Sequence, residues 1–163
     1  MIGIGRHTDY AARLVLHLAS LAENTQVTIA EIAEERMLPV AFVRRLIGPL
    51  SSAGILTTVV GAKGGVRLGR HPSEITLLDL VNAMEGGITL NHCVGNEHTC
   101  PLSSHCPVQS AWAGATRSLE ESLASVTFEA LAHGAEGHAQ AHQERHDLLA
   151  KVPTQKGRRH ARV

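Results

Sequence analysis

Cys93, Cys100 and Cys106 stand within the fourteen-residue stretch CVGNEHTCPLSSHC and are the only thiols in a chain of 163 residues. The pattern Cys93-x6-Cys100-x5-Cys106 offers three soft thiolates on one loop, the ligand type that iron-sulfur clusters and zinc favour. Zinc usually takes thiols spaced by about two to four residues in a tight chelate, whereas longer spans wrap a wider cluster, so iron-sulfur is the leading expectation. Cys106 precedes Pro107, which suits the first position of a helix, and the positive end of that helix favours a thiolate. Three thiols leave a cluster one ligand short. His92, His98, His105, Gln109 and Asp9 are candidates for the remaining position. A histidine there fits a Cys3His zinc site instead, and three reduced cysteines without metal are the plainest alternative.

A second set of residues has chemistry for a polyanion. The net charge is zero, with 15 basic and 15 acidic residues, which argues against binding nucleic acid through bulk charge. Between residues 36 and 70, however, stand Arg36, Arg44, Arg45, Lys63, Arg67 and Arg70 with no acidic residue. The basic charge is local. Its bland reading is a solvated surface of an ordinary small domain.

The elements that must position these residues are mostly helical. TDYAARLVLHLASLAE, residues 8–23, sets Tyr10, Leu14, Val15, Leu18, Leu21 and Ala22 on one face. In TIAEIAEER, Thr28 and Glu31 form a capping box before Ile29, Ile32 and Ala33. Pro39 opens a third helix, PVAFVRRLIGPLSSAG, with Val43, Leu46, Ile47 and Leu50 inward and Arg44 and Arg45 outward. Gly48 and Pro49 are expected to kink or shorten it. ILTTVV and GVRLG read as a two-stranded hairpin with Lys63 at its tip. SEITLLDLVNAMEGG returns to helical spacing, with Thr76 and Asp79 as a second capping box and Gly86-Gly87 as the stop. After the cysteines, Val108, Ala111, Trp112, Ala115, Leu119, Leu123 and Val126 form the stripe of a long amphipathic helix, followed by a short helix from Thr127 to Ala132.

This order predicts a mainly α fold with a small β-hairpin wing: a winged helix-turn-helix over residues 1–85, a cysteine loop over 86–106, a long amphipathic helix region over 107–132, which the resemblance given below makes the dimerisation helix, and a flexible His-rich basic tail over 133–163. In winged-helix geometry the third helix enters the major groove and the wing lies by the backbone or minor groove. The expected DNA contacts are Thr28, Pro39, Val40, Ala41, Arg44, Arg45, Lys63 and Arg67. Five of the 11 histidines fall in the last 31 residues, where apolar groups are too few to offset ordering entropy. His138, His142 and His146 would share a face there if the tail were helical, but solvated disorder is the expectation. Hydrophobic residues make up 44% of the chain and aromatics 2%, which suits close-packed helices. No apolar run is long enough to cross a bilayer, and MIGIGRHTDY lacks the order of a signal peptide, so a cytoplasmic protein without membrane contact is expected. Paired carboxylates, a nucleophile elbow and a phosphate loop are lacking, since GAKGG does not continue into Lys-Ser/Thr and a helix. No enzyme is expected.

Residues 5–132 resemble the Rrf-two family of bacterial winged-helix regulators, with its IscR, NsrR and RirA types, through TDYAARLVLHLA, TIAEIAEERMLPVAFVRRLIGPLSSAGIL, GAKGGVRLGRHPSEITLLDLVNAMEG and the three-cysteine loop. The resemblance implies a homodimer on operator DNA with an iron-sulfur cluster, 4Fe-4S ahead of 2Fe-2S, held by Cys93, Cys100 and Cys106. IscR-type members carry a histidine three residues after the last cysteine, where this chain has Gln109. NsrR-type members use an aspartate of the partner's first helix in a context that Thr8, Asp9 and Arg13 reproduce, which makes Asp9 the fourth-ligand candidate and Arg13 its support. Asp9 also has a bland reading, an acid near a helix N-terminus. The function so implied is cluster-dependent repression, with nitric oxide as leading signal and iron or redox sensing as alternatives. Rivals outside this resemblance are a structural zinc module and a cluster-free regulator whose cysteines pair under oxidant.

Overall fold

The structure, a computed structural model, describes residues 3–61, 64–95 and 105–134. Its first helix, α1, is Arg6–Ala19 with Gly5 as N-cap. α2 is Ile29–Glu35, started by the capping box: Thr28 Oγ1 accepts Glu31 N–H at 3.2 Å while Glu31 Oε2 accepts Thr28 N–H at 2.8 Å. α3 is Val40–Ser52. Pro39 is its N-cap, one position before the expected first turn. The helix is not shortened at Pro49, which sits inside it on an exposed face. There the carbonyl that loses its N–H partner can turn to water.

β1, Leu56–Val59, and β2, Gly65–Leu68, form an antiparallel hairpin with Leu56 opposite Leu68 and Val59 opposite Gly65. Val27, in the α1–α2 connection, adds a bridge to Val66, its N–H and C=O both bonded at 3.0 and 2.8 Å. Gly65 lets this segment approach, since a Cβ there would lie 2.5 Å from Val27 O. A 3-10 turn, Pro72–Glu74, leads to α4, Leu77–Glu85, capped by Thr76 and Asp79 and closed by Gly86 at φ 78°. A four-residue helix, α5, His92–Gly95, has no counterpart in the periodicity of the sequence. α6, Pro107–Ala124, follows, and residues 128–134 are again helical. From residue 135 the expected tail lies outside the described residues.

The core joins Leu14, Val15 and Leu18 of α1 to Ile32 of α2 and to Val43, Leu46 and Leu50 of α3. Ile55, Val66, Ile75 and Leu80 complete it, as the helical and alternating patterns require. Its largest fully buried side chain comes from beyond α6: Phe128, with no exposed surface. Phe128 N–H donates to Ile75 O at 2.9 Å and Leu77 N–H to Val126 O at 2.9 Å, so the chain returns to the start of α4. Phe128→Ala should therefore lower the unfolding free energy of the whole unit by about 3–5 kcal/mol in urea titrations.

His17 is buried between α1 and α2, with only 3% of its surface exposed. Arg36 Nη2 lies 3.0 Å from its Nδ1, and Glu35 Oε2 lies 3.4 Å from the same nitrogen. Arginine can only donate, so Nδ1 accepts and the ring is neutral. Burial, then the Arg36 charge, hold its pKa below the ordinary 6.5 against the opposite pull of the exposed Glu35. The unfolded chain binds this proton more readily than the fold does, so the stability is present above the ordinary value and lost as pH falls through it toward the folded one. Between about pH 7 and about pH 5 the melting temperature of the parent should fall further than that of His17→Gln.

Candidate functional site

The outward side of α3 carries Val40, Ala41, Arg44 and Arg45, all exposed, because Val43, Leu46 and Leu50 turn the opposite face into the core. Arg45 lies over the ring of Phe42, 5.6 Å from its centroid. Phe42 in turn stacks on His7 at 5.4 Å and meets the edge of Tyr10 at 5.7 Å. The exposed helix is thus held to the first turns of α1 by aromatic contacts. Pro39, its N-cap, is exposed as well.

Other residues of the expected DNA set have internal partners. The Thr28 hydroxyl is engaged in its cap, where it donates to Glu31 Oε2 at 2.7 Å. That bond, and then the backbone N–H of Thr28, hold the Glu31 carboxyl below the usual range. Arg67 on β2 donates to Asn24 Oδ1 at 3.2 Å and is half-buried. Lys63 lies outside the described residues. Of the remaining basic residues in this region, Arg36 leans on His17, and Arg70 donates to Glu74 O at 3.2 Å while its Nη2 stands 3.7 Å from Asp79.

At the cysteine end, Cys93 lies in α5 and Cys106 is the N-cap of α6; both are half-buried free thiols. Gln109 joins their segments by donating its side-chain amide to Cys93 O at 2.8 Å. Gln109, one of the expected candidates for a fourth ligand, is therefore used as a clamp. Cys100 and His98 lie outside the described residues. Among the described residues no group of three histidine, cysteine or acidic side chains is gathered for a metal. Cys106 at the start of the 18-residue α6 and Cys93 in α5 are nonetheless partly accessible thiols of the soft ligand type that iron-sulfur clusters and zinc take.

Asp9 stands in the first turn of α1, half-exposed, and pairs with Arg13 at 2.9 Å. Arg13 also lies 5.9 Å from the Tyr10 ring centroid. Asp9 borders an open groove of about 520 Å3 whose lining includes Ile4, Leu77, Leu80, Val81 and Leu123. Sequence reasoning missed Gln109 as a clamp, Phe42 as the seat of Arg45, and Glu85, which accepts Gly5 N–H at 3.2 Å and the Thr8 hydroxyl. Glu85 left no periodic signal, since its partners are 77 and 80 positions away. Phe42 was findable, three positions before Arg45 on one helix.

A capped helix pair, an outward basic helix and a hairpin define a winged-helix transcription regulator that binds DNA and is not an enzyme. The chain belongs to the Rrf2 family: residues 4–134 match the family described as iron-dependent transcriptional regulator. It is 35% identical over 127 residues to "Protein aau3" of Rhizobium meliloti (strain 1021), covering 77% of this chain and 82% of that protein. CymR (YrzC), the global cysteine regulator of B. subtilis, superposes with a TM-score of 0.65 at 27% identity over 82% of this chain and 98% of its own. IscR of T. potens gives 0.66 at 26% identity, over 84% and 90%. No helix among the described residues is long and apolar enough to cross a membrane.

Arg44 and Arg45 give a direct expectation for binding. Changing either to alanine should cost about 1–3 kcal/mol of operator affinity where the guanidinium pairs with guanine, or lower the salt slope by about 1 where it meets phosphate. Fluorescence anisotropy across a salt series separates these outcomes, and unchanged affinity and slope for both variants would remove α3 from the DNA face.

Proposed function

We propose that this chain is a cytoplasmic, iron-sulfur cluster-dependent repressor that works as a homodimer on operator DNA and releases it when nitric oxide attacks the cluster. The observation that carries the reading is the Gln109 bond to Cys93, which ties the segment of one free thiol to the first turn after the other. In this proposal Cys93, Cys100 and Cys106 hold a 4Fe-4S cluster and Asp9 of the partner subunit completes its ligand set. When bound, the cluster supplies a centre that reacts with nitric oxide and oxidants.

The residues of the chain supply the rest. Arg13 holds the Asp9 carboxylate at 2.9 Å and so orients it before assembly. The apolar surface left on α6, with Val108 61% and Trp112 39% exposed, supports its use as a dimer face. Residues 1–85 act as the DNA-binding unit, with Arg44, Arg45, Val40 and Ala41 in the major groove and Lys63 and Arg67 on the wing. In a dimer the two α3 helices must then meet major grooves roughly 34–36 Å apart. The alternative of iron sensing by the same site is favoured by the family's description as iron-dependent.

The test is the visible spectrum, iron and sulfide content of anaerobically purified protein, followed by nitric oxide titration with operator binding read in parallel. The proposal expects brown protein that bleaches and lets go of DNA. Zinc in place of iron would overturn it, and bleaching by chelator but not by nitric oxide would move the signal to iron. Asp9→Ala should speed cluster loss and erase a difference in operator affinity of roughly 5- to 150-fold between cluster-loaded and cluster-free protein.

A further inference from the structure

The turn between α2 and α3 holds a residue type that its backbone does not favour. α2 ends in a Schellman motif, with Leu38 N–H donating to Ala33 O at 2.8 Å and Met37 N–H to Glu34 O at 3.2 Å. Met37 occupies the left-handed position of this motif at φ 51°. Glycine is the usual residue there because a Cβ is strained in that conformation. Nothing inside the fold compensates for the methionine, since 91% of its surface is exposed. After the buried Leu38, Pro39, Val40 and Ala41 are also exposed, so the tip of the helix-turn-helix presents several apolar side chains one turn before Arg44 and Arg45.

In helix-turn-helix geometry the N-terminal residues of the recognition helix meet base edges in the major groove. The apolar group on those edges is the C5 methyl of thymine. We propose that Met37 and Val40 contact thymine methyl groups in the operator and so determine sequence specificity beside the two arginines. The inference rests on α3 as the DNA-reading helix. A protein partner on the same tip is disfavoured, because the surrounding stretch from residue 36 to residue 70 carries basic residues and no acidic one, which suits a polyanion.

The test uses the full-length protein and a consensus duplex selected by it from a randomised pool. Thymines are replaced one at a time by deoxyuridine, which removes the methyl and keeps the base pair. In each half-site at least one replacement should weaken binding about four-fold, the value of one buried methyl group. That sensitivity should fade in Met37→Gly or Val40→Ala. Met37→Gly should melt no lower than the parent, because glycine relieves the left-handed strain. A duplex indifferent to every replacement, or sensitivity that persists undiminished in both variants, overturns the proposal and leaves the tip to a protein partner. If Arg44→Ala/Arg45→Ala binds the duplex as the parent does, the DNA-reading role of α3 itself fails, an outcome separable from loss of the methyl effect alone.

Discussion

The carboxylate of Glu85 ties the end of α4 to the start of α1. It is the last residue of α4, and it accepts the Gly5 N–H at 3.2 Å and the hydroxyl of Thr8, both at the start of α1. The bond satisfies one of the donors that every helix N-terminus leaves open and sets negative charge at the positive end of the helix dipole. Thr8 is buried, which fixes the rotation of the first turn and hence the outward direction of its neighbour Asp9. One residue beyond α4, the cap Gly86 at φ 78° ends the helix and opens the segment that leads to Cys93. The start of the cysteine segment and the carboxylate proposed to meet it across the dimer are thus held in one frame.

α1 carries that frame to the DNA face. The helix has 14 residues and so spans about 21 Å. Along it, His7 and Tyr10 seat Phe42 under Arg45, and His17 receives Arg36 from the end of α2. A close-packed helix moves as a body more readily than it bends. In the proposed dimer a ligand at Asp9 would therefore act on the same helix that seats Phe42 under Arg45. The size of any effect is still set by how differently the two DNA-binding states hold that ligand, not by the length of the helix.

Much of this was legible in the sequence, for reasons that differ by element. Thr28-x-x-Glu31 and Thr76-x-x-Asp79 are local signals, and both caps form as read. The apolar stripes of α1 and α3 follow the period of a single helix, so Leu14, Leu18, Val43, Leu46 and Leu50 were readable as core. Pro49 does not shorten α3, because its cost depends on whether the bereft carbonyl is buried, and exposure is a tertiary property. Glu85 and Phe128 were missed as partners of residues far away in the chain, since no period links them to Thr8 or Ile75. At the cysteine end, residue types pointed to the chemistry, but the use of Gln109 as a clamp on Cys93 depends on how α5 meets α6.

The placement of Phe128 also explains why α6 keeps an apolar stripe on its surface. Beyond its C-terminal end, Leu77 N–H bonds Val126 O and Phe128 fills the core, while at its N-terminal end Gln109 bonds Cys93 O. Held at both ends, the helix cannot turn Val108, Trp112 and Leu119 inward without withdrawing Phe128 from the core or breaking the Gln109 bond. Withdrawing Phe128 would cost about 3–5 kcal/mol, and breaking the Gln109 bond about 0.5–1.5 kcal/mol more. Among the described residues the exposed stripe is therefore a consequence of how the fold is anchored, and it is the surface on which the proposed dimer rests.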